Sequence, residues 1–394
     1  MKKVGLCLAY SGTNYGQNLQ AYATQYVIDS YGFITEIIDY RSGQNKGLTL
    51  SYATLVVASK KASNLILRRI TKREKKQQLD NQHLLNAAER KKQADLFRKQ
   101  RLHGFVRCDG IKQLQKKSCE YAAVVVGSDQ IWLPGVAVTN FYTLRFAAPG
   151  VTRISYATSM GVSSYPTWAK KPAAEFWKKI DFLSVREQQA KEIIQATCNA
   201  DVKMVADPTY LLTKEQWIEC IPLRKVVEDG YVLCYLLGNS ASIKAFCRRF
   251  ADEKKLRLVG IMSDECNSND ADYCDEVIIG KGPEDFINLI RNANYVMTDS
   301  FHGLAFSIIN EKQFSVFYRK REDTKESRNS RIDNIVKMWG VEKNLIANPQ
   351  EAEIMCPNID YQAVNQRREQ LRAESLAFLE AALGIDKGQN NDSV

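Results

Sequence analysis

The hydrophobic pattern changes period twice within the first forty residues. An unbroken apolar run at 4–10 has the length and content of a buried strand. A polar, glycine-bearing loop at 11–18 follows, then helical spacing over 19–30, Gly32 as a stop, and a second strand at 33–40. Strand, helix and strand in this order predict a βαβ unit and a parallel sheet. The same alternation returns at 121–132, 153–159, 182–187 with a helix over 188–196, and 202–205. After the turn Asp207-Pro208 it begins afresh: a strand at 231–237, a helix over 242–255, strands at 256–262 and 276–279, and a helix opening at Pro283. Two further strands are predicted at 295–297 and 314–318, with helices over 301–309, 330–338 and 361–383.

Chemistry concentrates where an apolar strand gives way at once to an apolar helix. In Tyr295-Val-Met-Thr-Asp-Ser-Phe-His-Gly-Leu the junction carries Ser300 or Asp299 as the N-cap, with Phe301, His302 and Gly303 in the first turn. Unpaired amides and the positive end of the helix dipole make such a turn an anion site, and His302 stands at its rim. A structural histidine and a catalytic one both suit this position. Arg186, at the end of the strand at 182–187, repeats the design of a polar residue between strand and helix.

Composition narrows the class. At 394 residues, 45% of them hydrophobic and 25% charged, the chain is long enough for two core-bearing domains. No basic-then-apolar leader and no run of roughly 18 apolar residues is visible, so a cytoplasmic protein is expected. The ten cysteines include no C-x-x-C pair and the histidines number three, which predicts reduced thiols and no metal. The loop at 11–18 lacks G-x-G-x-x-G, which sets dinucleotide binding aside. Net charge is +10, but residues 60–117 hold eighteen Lys and Arg against five Asp and Glu, so this segment carries +13 and the remainder −3. It reads as a basic helical hairpin inserted in the first domain. A solvated helix pair is the ordinary explanation, attraction to an anionic lipid surface or lipid-phosphate-linked acceptor is the functional one, and nucleic acid is disfavoured because no aromatics accompany the charge.

Six pieces taken in order give a resemblance: Asn14-Tyr-Gly16, Val125-Val-Gly-Ser-Asp-Gln-Ile-Trp132, Ser184-Val-Arg-Glu187, Asp207-Pro208, Thr298-Asp-Ser-Phe-His-Gly303 and Ser330-Arg-Ile332. None is specific alone, yet each stands at a strand-to-loop position, and together they resemble the polysaccharide pyruvyl transferase family over residues 4–340. The resemblance implies an α/β protein of two facing Rossmann-like domains with parallel sheets, GT-B-like, the site lying in the cleft between them. The expected organisation is an N-terminal, acceptor-side domain at 1–207 with the basic insertion at about 60–117, and a C-terminal, donor-side domain at 208–360. A long helix at 361–386 and a disordered tail at 387–394 complete it.

The resemblance also implies a transferase that moves the carboxyvinyl group of phosphoenolpyruvate onto a sugar diol as a pyruvate ketal, without metal or nucleotide cofactor. Ser300 stands where pyruvylating members often carry an arginine, two residues before the histidine. A compact trianion calls for guanidinium forks and backbone amides. The donor candidates are therefore Arg186, Ser300, Phe301, Gly303 and Arg331, with Lys281 and Arg319 behind them, and Arg186 is expected to face ligand anions and not protein acids. His302 is the candidate for proton transfer. Asn14, Tyr15, Gly16, Gln17, Ser128 and Asp129 match the hydroxyls of a sugar or lipid-linked oligosaccharide acceptor. A glycosyltransferase using a nucleotide sugar, with His302 and Lys281 holding the diphosphate, and a non-catalytic saccharide-binding protein of polysaccharide assembly are the alternatives.

Overall fold

The computed structural model describes residues 1–42, 81–228, 230–262, 272–319, 330–354 and 357–385, the side chains of 81–83 and 330–331 excepted. Two parallel sheets organise it. The first runs in the order β3-β2-β1-β4-β5-β6-β7, from β1 (Lys3–Leu8), β2 (Ile34–Arg41), β3 (Phe105–Asp109), β4 (Ala123–Gly127), β5 (Thr152–Thr158), β6 (Phe182–Val185) and β7 (Lys203–Met204). The second runs β10-β9-β8-β11-β12-β13, from β8 (Tyr231–Tyr235), β9 (Arg257–Ile261), β10 (Glu276–Ile278), β11 (Tyr295–Thr298), β12 (Phe314–Phe317) and β13 (Leu345–Ile346). Every pairing described is parallel, which requires crossovers on both faces and accounts for strands such as β4 and β8 being buried at each position.

In both sheets the strand order reverses beside the first strand, between β1 and β4 and between β8 and β11. Ligands of open α/β sheets bind outside the carboxyl ends of strands at such a reversal. Each domain therefore presents one, and the chain segments that follow these four strands supply most of the site described below.

The predicted elements fall within a few residues of the observed ones, and helices Phe301–Ile309 and Tyr361–Leu383 coincide with them. Two differences matter. Helix α1 (Tyr15–Ser30) starts four residues earlier than the apolar spacing suggests, because Asn14 caps it by accepting a hydrogen bond from the Gln17 amide. The basic segment is not a continuous helical hairpin to Lys117: helix α2 (Asn81–Arg101) gives way to β3, an edge strand, and then to helix α3 (Ile111–Ser118). Gly104, at a positive φ of 67°, makes that break and packs against the Thr35 carbonyl. Residues 60–80 of that segment and the tail from 387 lie outside the described residues.

Helix α2 joins the domains. Arg90 donates to the carbonyls of Thr13 in the first domain and Met262 in the second, and its guanidinium lies 4.4 Å from the centre of the Tyr15 ring. Arg101 pairs with Glu284 of the second domain, and Asn86 accepts from the Gly280 amide. Arg98 donates to the carbonyls of Tyr10 and Gly12, pinning the loop after β1. Three of the basic residues counted as surface charge thus hold backbone in the interior or bridge the domains. The last helix, α11 (Tyr361–Leu383), crosses back: Arg368 donates to the carbonyls of Ile308 and Ile309, while Ser375 accepts from the Ala206 amide and Phe378 meets Tyr156 and Phe182 in the first domain.

Candidate active site

Between the two switch points lies a cleft of about 660 Å³ counting its open mouth, lined by Asn14, Asp129, Gln130 and Arg186 from the first domain. Leu237, Asp299, Ser300, Phe301, His302, Arg319 and Ile332 line it from the second.

Helix α9 (Phe301–Ile309) forms one wall. Ser300 caps it by accepting from the Gly303 amide, and its own amide donates to the Thr298 hydroxyl. Two of the amides expected to face an anion are therefore used within the turn. Gly303 is buried, and a Cβ there would collide with the Thr298 side chain, so glycine lets the helix pack onto β11. It does not line the cleft.

His302 is 8% exposed and reaches across to the first domain. Its Nε2 lies 4.0 Å from Oδ1 of Asp207, and its ring rests on Gly16, where any Cβ would fall inside the imidazole. Gly16 thus serves the histidine as close approach, in place of the acceptor contact expected of it. Phe301 meets the His302 ring edge-on and covers the Arg186 guanidinium at 4.3 Å.

Arg186 departs most from expectation. It follows β6 directly and is 3% exposed, and its Nη1 donates to Asp207 Oδ2 at 2.5 Å and to the Ser128 hydroxyl at 3.0 Å. Glu187 Oε1 stands 3.8 Å from its Nε. Ser128 in turn donates to Asp207 at 2.6 Å, and the Thr209 amide and hydroxyl donate to the other oxygen at 3.0 and 2.8 Å. Burial alone would raise the Asp207 pKa, but Arg186, then His302 and these hydrogen bonds hold it down to about 2. The arginine expected to face ligand anions is therefore paired with a protein acid, because the Asp207-Pro208 turn folds back beneath the end of β6.

Arg319 follows β12 and is the more open cation, with its side chain 21% exposed and its Nε 3.7 Å from Asp299 Oδ2. Asp299 is buried and accepts from the amides of Leu237 and Gly238 at 2.7 and 2.8 Å. Burial outweighs Arg319 and these amides, so its carboxyl is raised above the ordinary range. Gly238 leaves room for the pair: a Cβ there would stand 2.9 Å from Asp299 Oδ2 and 3.2 Å from the Arg319 side chain.

On the opposite wall Asn14 and Asp129 line the cleft as expected, Asp129 with φ +60° just after Ser128. Gln17 is drawn behind them, its amide donating to Asp129 Oδ2 and its carbonyl accepting from the Gly12 amide. Ser128 is buried beneath Arg186. Tyr15 is buried, stacks on Phe286 at 4.7 Å and donates to the Lys281 carbonyl, so it fastens the domains and does not meet an acceptor. Lys281 meets the first domain through that carbonyl and does not line the cleft. The Arg331 side chain lies outside the described residues, although helix α10 (Ser330–Trp339), which carries it, supplies Ile332 to the cleft. Asp207, Asp299, Gln130 and Gly238 were missed. The Asp207-Pro208 turn was legible as a boundary; its carboxylate's role needed the fold.

A sequence model described as "Polysaccharide pyruvyl transferase" matches residues 14–321, which include Asn14 at the end of the loop after β1 and the loops after β4, β8 and β11. The chain belongs to the polysaccharide pyruvyl transferase family. Among solved structures it is similar to Arabidopsis thaliana UGT89C1, at 10% identity and a TM-score of 0.51, covering 97% of this chain and 100% of that one. It is also similar to the Methanocaldococcus jannaschii UDP-GlcNAc 2-epimerase, at 11% identity and a TM-score of 0.46 over 95% and 100%. The Escherichia coli heptosyltransferase WaaC matches at 10% identity and a TM-score of 0.38 over 94% and 99%. At these identities the likeness concerns the fold, which is GT-B-like, with two parallel-sheet α/β domains and the cleft between them. No curated protein sequence matches the chain. As a member of this family the chain is a transferase acting on polysaccharide. Among the described residues no helix is long and apolar enough to cross a membrane.

Proposed function

We propose that the chain transfers the enolpyruvyl group of phosphoenolpyruvate to two hydroxyls of a sugar in a surface polysaccharide or its lipid-linked precursor, forming a pyruvate ketal. The observation that carries this reading is His302, lodged where the switch points of both domains meet, with Arg319 and Arg186 beside it and Asn14 and Asp129 opposite. In the reaction one sugar hydroxyl adds to the central carbon while a proton goes to the methylene, making a methyl group. The second hydroxyl displaces phosphate at the same carbon, and its proton leaves with the phosphate. His302 supplies the first proton and accepts one from the attacking hydroxyl; Arg319 holds the donor's anionic oxygens, and the acceptor lies against Asn14 and Asp129.

Phosphoenolpyruvate at a hundred times its dissociation constant should stabilise the protein by about 2.7 kcal/mol. His302→Gln should keep that stabilisation and lose turnover by roughly 10²- to 10⁴-fold. Stabilisation by a nucleotide sugar and none by phosphoenolpyruvate would replace this reading with glycosyl transfer.

A further inference from the structure

We propose that Asp207 is a positioning residue whose carboxylate, anchored in the first domain, orients the His302 imidazole of the second and fixes the charge it faces. The inference rests on reading His302 as the proton-transfer group. It adds a residue that does not line the cleft and acts through the one that does.

The geometry leaves the imidazole little freedom. Asp207 is 2% exposed and its two oxygens are held by Thr209, Ser128 and Arg186, so the carboxylate has a fixed place beside Nε2. Gly16 presses on the ring itself, and its lack of a side chain is what admits the ring. A carboxylate and a helix turn of one domain thus grip a side chain of the other.

Among the described residues, the charged groups around His302 are Asp207 and, beyond Phe301, Arg186 from the first domain, Asp129 across the cleft, and Asp299 and Arg319 on its own domain's wall. Asp207 stays ionised across the neutral range, since Arg186, His302 and the hydroxyl and amide donors outweigh its burial. It therefore presents a constant negative charge, which favours the imidazolium before proton transfer and keeps the ring aligned after it. Arg186 tempers that field from the other side of the same carboxylate.

The test is nuclear magnetic resonance of ring-labelled histidine in the full chain. There are three histidines, so loss of one resonance in His302→Gln assigns the ring. An opposite charge within about 4–6 Å is worth one to three pH units. Asp207→Asn should lower the His302 titration midpoint by at least about one unit, and Arg186→Met, which leaves the carboxylate less neutralised, should raise it. A support that only kept the fold together would not move the midpoint in opposite directions. Should Asp207→Asn fail to fold, the double variant Arg186→Met/Asp207→Asn, compared with Arg186→Met alone, isolates the same carboxylate and should titrate at least about one unit lower. Equal midpoints in either comparison overturn the proposal. Turnover retained by His302→Gln would overturn the proton-transfer reading and leave the resonance result to stand on its own.

Discussion

Two arginine–aspartate pairs border the cleft, one from each domain, built to opposite ends. In the first domain Arg186 and Asp207 are both buried, 2.5 Å apart, with three further donors saturating the carboxylate. In the second, Asp299 is buried, but its strong hydrogen bonds come from backbone amides, and Arg319 stands 3.7 Å away with a fifth of its side chain open. The difference shows in the acids. Asp207 is held down to about 2, whereas Asp299 is raised by burial that Arg319 fails to offset. A closed pair has spent its cation on the protein; an open pair keeps a cation available for a ligand. Residue type alone, an arginine after a strand, does not separate the two roles.

Breaking the closed pair should have the largest effect. Arg186→Ala leaves Asp207 as an uncompensated buried charge, and removing one partner of such a pair costs about 3–5 kcal/mol. Urea denaturation of the variant should show that loss. The double variant Arg186→Met/Asp207→Leu replaces the pair by apolar groups and should recover most of it, since buried pairs often contribute little over well-packed hydrophobic residues. Failure of the double variant to recover would mean that the pair also supports its neighbours Ser128 and Phe301.

The open pair should respond in the opposite manner. Arg319→Ala removes a partly exposed cation and should leave stability within about 1 kcal/mol. A hydrogen bond to a charged group is worth about 1.5–3 kcal/mol, so phosphoenolpyruvate should bind roughly ten- to a hundredfold more weakly. Arg319→Lys should restore only part of the affinity, because a point charge does not reproduce a fork. Donor affinity that survives Arg319→Ala and falls in Arg186→Ala would reverse the assignment.

Much of this was legible in sequence. Buried strands announce themselves by unbroken apolar runs, and the junction at Thr298-Asp-Ser-Phe-His narrowed the cap to Ser300 or Asp299, of which the fold uses Ser300, and singled out the residue at the centre of the cleft. Side-chain partners were not legible. Arg186 and Asp207 lie twenty-one residues apart and meet only because β6 and the turn after β7 end side by side. Gly16 reads as a loop former until the second domain is placed against it, when it becomes the surface that receives His302. The basic segment misled for a related reason. Charge counting cannot distinguish a solvated arginine from Arg90, Arg98 or Arg101, whose donors are taken up by carbonyls and an acid in the interior or across the domain interface.

The smallest effect is the most discriminating, because its sign differs between the pairs. Asp207 titrates at about 2 in the folded chain against an ordinary value of 3.8, so ionisation stabilises the fold. That stability is fully present above the ordinary value and is lost as pH falls through about 2. Its full size is about 2 kcal/mol, of which about 1 kcal/mol should be gone by pH 3. The stability gap between the native chain and Asp207→Asn should therefore narrow on acidification from pH 6. Asp299 is displaced the other way, so its ionised form is the strained one, and acidification toward its folded value relieves the strain. The gap between the native chain and Asp299→Asn should widen over the same range. Other carboxylates, such as Glu36, held down to about 2 by Lys117, Lys3 and Tyr121 against the opposing effect of burial, titrate in both members of each comparison and cancel. Slopes of the same sign for the two variants would mean that the aspartates share one electrostatic environment, and the division into a closed and an open pair would fall with it.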